Sequence, residues 1–195
     1  MAAEPTPARG RPPSTSRASV DRVALEMFAR RGFEETTVDD IAAALGVGRR
    51  TLFRYFASKN DIVWGEFGEV LARLRADLDA QGEDVAVIDA VAAAAVSSNR
   101  YPDEVLPELR LRITLITTVP ALQAHSMLRY ADWRAVIAEY VARRRGEDPA
   151  ALVPQTVGFA ALGASTAAFS AWAKGGGDLE RCLVTAYAAL AAGFR

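Results

Sequence analysis

Residues 37–59 read TVDDIAAALGVGRRTLFRYFASK, and this run holds two short apolar patterns on either side of a glycine-containing turn. Thr37, with Asp40 three positions on, is typical of a capped helix start. Ile41, Ala42 and Leu45 supply the apolar stripe of this helix, which ends at Gly46. After the turn Gly46-Val47-Gly48, the pattern predicts a further short helix over residues 49–55, with Leu52 and Phe56 facing the core.

The flanking segments are also helical in pattern. Val20, Val23, Ala24, Met27 and Phe28 recur at spacings of three and four after Ser19, and Gly32 follows as a stop. Ser58, with Asp61 three positions on, predicts the start of a fourth helix that reaches about Gln81. Two short helices around a glycine turn, preceded by a third, form a helix-turn-helix unit.

The rest of the chain predicts five further helices, at about 84–98, 102–117, 120–145, 149–174 and 178–194. Pro102, Pro120 and Pro149 stand at expected helix starts, where a missing N–H is tolerated. No stretch alternates with a period of two, so no sheet is expected. We predict an all-α protein of about nine helices, with a flexible basic arm (1–16), a DNA-binding domain (17–62) and an effector-binding and dimerisation domain (63–195).

Composition limits the class of protein. The 195 residues are 51% hydrophobic and 24% charged, as in a globular protein, and the single cysteine, Cys182, excludes an internal disulfide and fits the cytoplasm. No apolar segment follows the N-terminal arginines, so no secretory signal is expected. The most apolar run, 157–173, is interrupted by glycine, serine and threonine, and we predict no membrane span.

Charge is distributed unevenly. The net charge is −1, but residues 1–60 hold ten Lys and Arg against seven Asp and Glu (+3), and residues 61–195 hold thirteen against seventeen (−4). This asymmetry indicates a basic face near the N-terminus of an otherwise acidic protein.

The third predicted helix has the chemistry of a DNA-reading element. Such a helix lies in the major groove, with an apolar inner face and donors on its outer face, here Arg49, Arg50, Thr51 and Arg54. Tyr55 can donate to a phosphate, and Thr37 and Lys59 stand at flanking helix starts that can meet the DNA backbone. The alternative is that these residues form only the solvated charged face of a short core helix and do not bind DNA.

The N-terminal arm offers a second DNA contact. Arg9-Gly10-Arg11-Pro12 suits the floor of an A·T-rich minor groove, where arginines meet strong negative potential. An ordinary solvated tail explains the same residues equally well.

The N-terminal segment closely resembles the TetR family of one-component repressors. The resemblance covers roughly residues 17–65 and is carried by Ala24-Leu25-Glu26-Met27-Phe28, Gly32-Phe33, Thr36-Thr37-Val38, Asp40-Ile41-Ala42, Gly46-Val47-Gly48, Thr51-Leu52-Phe53-Arg54-Tyr55-Phe56 and Ser58-Lys59. It implies a homodimer whose C-terminal domain binds a small effector. It also implies DNA contacts at Thr37, Arg49, Arg50, Thr51, Phe53, Arg54, Tyr55 and Lys59.

The chain departs from that family at two positions. Asp39 stands where many members carry a basic DNA contact, and Phe53 where many carry tyrosine. A narrower resemblance, to regulators associated with mycofactocin gene clusters, is carried by residues 48–56, Ser58-Lys59-Asn60-Asp61-Ile62 and Trp64-Gly65-Glu66-Phe67. It implies a long-chain acyl-CoA as effector, although Val63 replaces the proline expected there.

The last two predicted helices carry stripes of small residues that permit close helix packing. We predict that they form a four-helix dimer interface, which a two-fold DNA site requires; packing within one chain is the alternative. The interface residues predicted are Ala160, Gly163, Ala164, Ala167, Ala171, Leu179, Cys182, Leu183, Ala186, Tyr187 and Leu190.

An effector pocket should be apolar with a few polar groups. The predicted lining is Phe67, Leu71, Leu74, Ile113, Ile116, Thr117, His125, Leu128, Trp133, Phe159 and Trp172; plain core packing is the alternative, and for most of them the more frequent role of such residues. Arg110, Arg112 and Arg129 can meet an anionic head group such as a CoA phosphate, or lie solvated on helix surfaces.

The leading hypothesis is a ligand-responsive repressor that binds a palindromic operator as a homodimer. A transcriptional activator and an architectural binder of A·T-rich DNA are alternatives. A helical enzyme is the least favoured class, because the sequence has no catalytic motif, no metal-ligand spacing and no phosphate-binding loop, and we expect no cofactor.

Overall fold

The computed structural model describes residues 15–175 and 177–193, which form ten α-helices and one short 3-10 helix with no strand among them. The predicted all-α class is therefore confirmed. The chain divides into two compact units, the first ending at Ile62 and the second beginning at Val63.

The first unit contains α1 (Arg17–Arg31), α2 (Val38–Ala44) and α3 (Arg49–Phe53), and α4 (Lys59–Trp64) begins in it and crosses its boundary. The predicted cap at Thr37 is present: its hydroxyl accepts from the Asp40 N–H at 3.1 Å, and the Asp40 carboxylate accepts from the Thr37 N–H at 2.9 Å. Reciprocal caps of this kind satisfy backbone donors that the helix leaves unpaired.

Glycine ends α1, as predicted. Gly32 caps the helix with a φ of +93°, a backbone conformation that residues with a Cβ atom rarely adopt. The helices of this unit then pack around one apolar core, which consists of Val20, Ala24, Leu25, Met27, Phe28, Phe33, Ile41, Ala42, Leu52, Phe56 and Ile62.

The second unit contains the remaining helices. They are α5 (Phe67–Asp79), α6 (Val87–Ser97), the 3-10 helix (Asp103–Val105), α7 (Leu106–Thr118), α8 (Pro120–Arg145), α9 (Leu152–Ala173) and α10 (Leu179–Ala191). α9 packs along both α8 and α10, and α6 packs against α5 and α10. Trp172 and Tyr187 are the largest of the fully buried side chains in the core of this unit.

Several predicted helix limits are wrong. The helix predicted over 84–98 begins at Val87, and the one predicted over 102–117 is the 3-10 helix followed by α7 from Leu106. The single helix from Ser58 to about Gln81 is two helices, because Gly65 takes a φ of +52° and breaks the run between α4 and α5. This break raises the number of α-helices from nine to ten. The helix predicted over residues 149–174 begins at Leu152 and not at Pro149, which lies in the preceding turn.

Among the described residues, α9 is the one helix long and apolar enough to cross a bilayer, judged by length and composition alone. Its buried positions include Gly158, Ala161, Ser165, Ala168 and Trp172. Gly158 lies so close to α8 that an added Cβ would be 3.2 Å from the carbonyl oxygen of Arg134. Close packing of this kind is typical of the core helix of a globular protein.

Candidate nucleic-acid interface and apolar cavity

Helix α3 separates charge from apolar surface. Arg49, Arg50 and Arg54, which caps the helix, are exposed, whereas Leu52 is fully buried and Phe56 nearly so. Phe53 is also exposed, and Thr51 is half-buried. The helix is short because Gly48 leads into it and the chain turns again at Arg54 and Tyr55. The result is a compact cationic surface held in place by buried apolar anchors.

Asp39 on α2 faces Arg49 on α3. The Arg49 guanidinium donates to the Asp39 carboxylate at 3.2 Å and lies 5.4 Å from the centre of the Phe53 ring. Both members of the ion pair are more than half exposed, so the pair itself contributes little to stability. Its main effect is to neutralise one of the three guanidiniums of this surface.

Arg17 holds the end of α3, a role that the sequence analysis missed. Its Nη1 donates to the carbonyl oxygen of Tyr55 at 2.7 Å, and its guanidinium lies 4.2 Å from the centre of the Phe56 ring. The Tyr55 hydroxyl donates to the carbonyl oxygen of Thr15 and accepts from Arg54 at 3.1 Å. The proton that Tyr55 was expected to offer to a phosphate is therefore already used within the chain.

The Lys59 side chain, expected from the sequence to meet the DNA backbone, contacts the protein's own backbone. Its ammonium donates to the carbonyl oxygens of Phe33 at 2.8 Å and Thr36 at 3.1 Å, and it lies 4.0 Å from the centre of the Phe33 ring. The side chain thus closes the loop between α1 and α2. A long cationic side chain can take this position because its stem packs on apolar surface while its head finds carbonyl oxygens.

Thr37 is exposed at the start of α2, but its hydroxyl donates to Asp40 at 2.6 Å. Hydrogen bonds from the Thr37 side chain and backbone hold the pKa of Asp40 below its ordinary value. Asp40 therefore stays ionised at the positive end of the helix dipole. The two arm residues predicted to bind DNA, Arg9 and Arg11, lie outside the described residues.

The second unit contains an apolar cavity of about 130 Å³. Five of the predicted ligand residues line it, namely Phe67, Ile113, Ile116, Thr117 and Trp133. Arg112, offered from the sequence as a head-group contact, also lines the cavity. The sequence did not point to the other lining residues, which are Val63, Trp64, Val70, Asn99, Tyr101, Leu109, Tyr130, Leu162, Ser165, Thr166 and Phe169.

Six predicted ligand residues do not line the cavity. Leu74 and Trp172 are fully buried in the core and Leu71 packs against it, His125 is half-buried elsewhere on α8, and Leu128 and Phe159 are exposed. All lie on helices that also contribute other residues to the cavity wall. Their side chains leave the helix in other directions, which periodicity alone does not resolve.

Two arginines that the sequence analysis offered to an anionic head group have partners within the unit. Arg110 donates to the carbonyl oxygen of Trp172 and lies 4.3 Å from the centre of its ring. Arg112 forms part of the cavity wall, where its Nη1 donates to the carbonyl oxygen of Val63 at 2.9 Å and its Nη2 to Glu108 at 2.7 Å. The positive charge of the wall is thereby paired with a carboxylate.

A buried hydrogen-bond chain joins the cavity to the core. The Tyr187 hydroxyl donates to the carbonyl oxygen of Ala161 at 3.1 Å and lies 2.9 Å from the Ser165 hydroxyl, which is on the cavity wall. Tyrosine has one hydroxyl proton, so Ser165 is the donor in the second bond. Burial raises the pKa of Tyr187 to about 12.

The predicted dimer residues fall into two groups. Gly163, Ala167 and Ala171 are exposed, and five others are half-buried: Ala160, Ala164, Cys182, Ala186 and Leu190. The remaining three, Leu179, Leu183 and Tyr187, are at most 3% exposed because their side chains fill the core of their own chain. Their assignment to a dimer interface is wrong. On α10, the apolar residue Val184 is 50% exposed and was not among the predicted interface residues.

Within residues 15–175 and 177–193, no cluster of three or more His, Cys, Asp or Glu side chains could hold a metal ion. The single cysteine, Cys182, is half-buried beside a shallow groove between α9 and α10.

Two family models match the chain. Residues 22–63 match the family described as bacterial regulatory proteins, tetR family, and residues 85–195 match the MftR C-terminal domain. The chain is 44% identical over 165 residues to the mycofactocin biosynthesis transcriptional regulator MftR of Mycobacterium tuberculosis, covering 85% of this chain and 83% of that protein. It is 29% identical over 133 residues to the HTH-type transcriptional regulator TcmR of Streptomyces glaucescens, covering 65% of this chain and 59% of that one.

Solved structures are similar in fold. The repressor FadR of Thermus thermophilus, solved with lauroyl-CoA, matches with a TM-score of 0.60 and 21% identity, covering 92% of this chain and 95% of that one. The SmeT–triclosan complex matches with a TM-score of 0.60 and 18% identity, covering 91% and 90% of the two chains.

Proposed function

This chain belongs to the TetR family of transcriptional regulators and carries an MftR-type C-terminal domain, and on that basis we propose that it is a ligand-responsive repressor that binds a palindromic operator as a homodimer. It would act in the cytoplasm by occupying a promoter. Release of the operator would follow when an effector binds the second unit.

The observation that carries the DNA-binding proposal is the surface of α3. Arg49, Arg50 and Arg54 are exposed on one short element whose buried side is Leu52. Guanidinium groups form bidentate hydrogen bonds with guanine edges and with phosphates. Arg50, at the second position of the helix, is our candidate for the principal contact.

Dimerisation would use α9 and α10, and two kinds of surface support this. Gly163 and Ala171 are small exposed residues that permit close approach of a second helix, and Phe159 and Val184 are large apolar residues that are half exposed. A palindromic operator needs two copies of α3 about 34 to 36 Å apart, which a two-fold dimer supplies.

The proposed effector site is the apolar cavity. An acyl chain is our candidate occupant, and the lauroyl-CoA complex of the Thermus thermophilus repressor supports it by analogy of fold. An engineered apolar cavity of about 150 Å³ holds benzene, so a cavity of about 130 Å³ admits only a short part of a long chain. A long-chain acyl-CoA would therefore have to widen the cavity, and it would favour a wider conformation because it binds that one better.

Helix α4 is the element through which such widening would reach the DNA-binding unit. Its last residue, Trp64, lines the cavity, and its first residue, Lys59, holds the loop before α2. Because α4 is only six residues long, a displacement of Trp64 would also displace Lys59 and the loop contacts that it makes.

DNA binding is tested by titrating a labelled duplex from the promoter of the protein's own gene with the wild type and with Arg50→Ala. We expect affinity to fall about tenfold or more and the salt dependence to weaken by about one counterion. Arg75→Ala, which removes an exposed arginine of α5, is the control and should change neither quantity. Unchanged affinity and salt dependence for the Arg50 variant would refute the docking of α3.

The dimer is tested by light scattering of Val184→Glu. We expect a monomer with weak operator binding, because a buried unpaired carboxylate opposes the interface. Val105→Glu, at an exposed valine on the 3-10 helix, should stay dimeric.

A reporter gene placed under the control of the operator distinguishes repression, which we propose, from activation.

A further inference from the structure

Trp64 presents a hydrogen-bond donor that the protein does not satisfy. Its indole Nε1 is buried and has no acceptor within hydrogen-bond distance. The ring lies edge-on between Phe67, at 5.1 Å, and Tyr130, at 5.6 Å, and all three residues line the cavity. Buried donors are nearly always paired, and one that is not is unfavourable until an acceptor reaches it.

Other polar groups on the wall already donate to the protein. The Thr117 hydroxyl donates to the carbonyl oxygen of Ile113 at 2.7 Å, and the Tyr101 hydroxyl donates to the Asn99 side chain at 3.3 Å. The Ser165 hydroxyl donates to Tyr187. The Thr117 and Ser165 hydroxyls therefore offer lone pairs to a ligand, the Tyr101 hydroxyl also accepts from Arg73 at 3.4 Å, and Trp64 offers a proton.

The charge of the wall disfavours an anion. The Arg112 side chain is only 11% exposed and is paired with Glu108 at 2.7 Å. A carboxylate in the cavity would compete with Glu108 for this guanidinium and would be desolvated by the surrounding apolar side chains. A neutral oxygen carries no such penalty.

From these contacts we propose that the cavity selects a neutral, mainly apolar molecule that bears a carbonyl oxygen, and that Trp64 Nε1 donates to this oxygen. Ketones, esters and thioesters are the matching chemical class. This inference rests on the proposed function, because it takes the cavity as the effector site, and it adds the polar atom by which the effector is recognised.

Three six-carbon probes test the proposal: hexane, 2-hexanone and hexanoate. Each probe has six carbon atoms, as benzene does, and an apolar cavity of about 150 Å³ holds benzene, which makes probes of this size suitable for a cavity of about 130 Å³. The readout is the indole N–H signal of ¹⁵N-labelled wild-type protein, with the Trp64 signal assigned by its loss in Trp64→Phe. We expect 2-hexanone to move the Trp64 proton downfield, as hydrogen bonding does, and hexane to bind without that shift.

Affinity supplies a second readout. We expect 2-hexanone to bind the wild type about fivefold more tightly than it binds Trp64→Phe, the ratio expected for one neutral hydrogen bond. Hexane should bind both proteins equally, and hexanoate should bind the wild type more weakly than 2-hexanone.

The outcomes separate two failures. If hexane and 2-hexanone bind equally well and neither shifts the Trp64 proton downfield, the donor assignment is wrong while the cavity remains a ligand site. If neither probe perturbs the Trp64 and Trp133 signals, the cavity takes no ligand of this size, and the effector-site part of the proposed function fails as well. Operator binding by Arg50 is independent of both results.

Discussion

The carboxylate of Asp39 lies 3.2 Å from Nη1 of Arg49, across the gap between α2 and α3. An acidic side chain thus stands beside the proposed major-groove surface and neutralises one of its guanidiniums. The family resemblance led us to expect a basic residue at position 39, and Arg49 compensates the charge of the acid found there. It also implies that DNA binding is weaker than three unopposed arginines would make it.

Asp39→Asn should strengthen operator binding roughly threefold at about 0.1 M salt, because it removes the negative charge and frees Arg49 for phosphate. The affinity should also depend more steeply on salt. Fluorescence anisotropy at several salt concentrations measures both quantities, and Asp132→Asn, at an exposed acid on α8, is the control. Weaker binding by Asp39→Asn would mean that Asp39 positions Arg49 for a base contact.

Lys59→Met should destabilise the N-terminal unit by about 1 to 2 kcal/mol, because two carbonyl oxygens lose a charged donor. Chemical denaturation measures the loss, and Lys174→Met, at an exposed lysine after α9, should have little effect. The salt dependence of operator binding should not change. If it weakens by about one counterion, Lys59 contacts phosphate as the sequence suggested and the loop contact is secondary.

The sequence was sufficient for the helical elements of the N-terminal unit because their ends carry local signals. Thr37 and Asp40 cap α2 through atoms three residues apart, and Gly32 ends α1 through its own φ. The break at Gly65 was not predictable in this way. The apolar stripe resumes at Phe67 in helical spacing, and an isolated glycine within such a stripe is compatible with a continuous helix.

The direction of individual side chains was less predictable than the elements that carry them. Ile113 and Trp172 both lie on apolar helix faces, but Ile113 borders the cavity and Trp172 fills the core beneath Arg110. Likewise, a sequence shows that Lys59 is charged but not that carbonyl oxygens of a preceding loop lie within its reach. Such facts depend on tertiary packing, which helix periodicity does not encode.

Gly65→Ala should destabilise the second unit by about 1 to 2 kcal/mol, because alanine is strained at the φ of +52° found here. The new Cβ would also lie 3.0 Å from Nη1 of Arg112, the atom that donates to the carbonyl oxygen of Val63. Gly68→Ala is the matched control. It lies on α5 with open space around it, and it should stabilise the protein by about 0.5 to 1 kcal/mol.

Both glycine variants are measured by urea denaturation. A Gly65→Ala protein as stable as the wild type would show that α4 and α5 can join into one helix, as the sequence analysis predicted, without loss of the Arg112 contact.

Tyr187 should make stability fall in alkaline solution. Its pKa is about 12 in the folded protein and about 10 in the unfolded chain, so above pH 10 unfolding releases its proton. The folded state binds more protons in this window, and the free energy of unfolding should therefore drop by about 1.4 kcal/mol per pH unit between pH 10 and pH 12. Below pH 10 both states are protonated, and this group contributes no pH dependence.

Tyr187→Phe isolates that contribution, because Tyr101 and Tyr130, whose pKa values burial also raises, remain in both proteins. The variant should be less stable at pH 8, since Ser165 and Ala161 lose their hydrogen-bond partner. Urea denaturation at pH 8, 9, 10 and 11 should show a stability difference that is constant up to pH 10 and narrows above it. A difference that stays constant to pH 11 would mean that Tyr187 ionises in the folded protein as readily as in the unfolded chain, and that its hydroxyl is not sealed in the core.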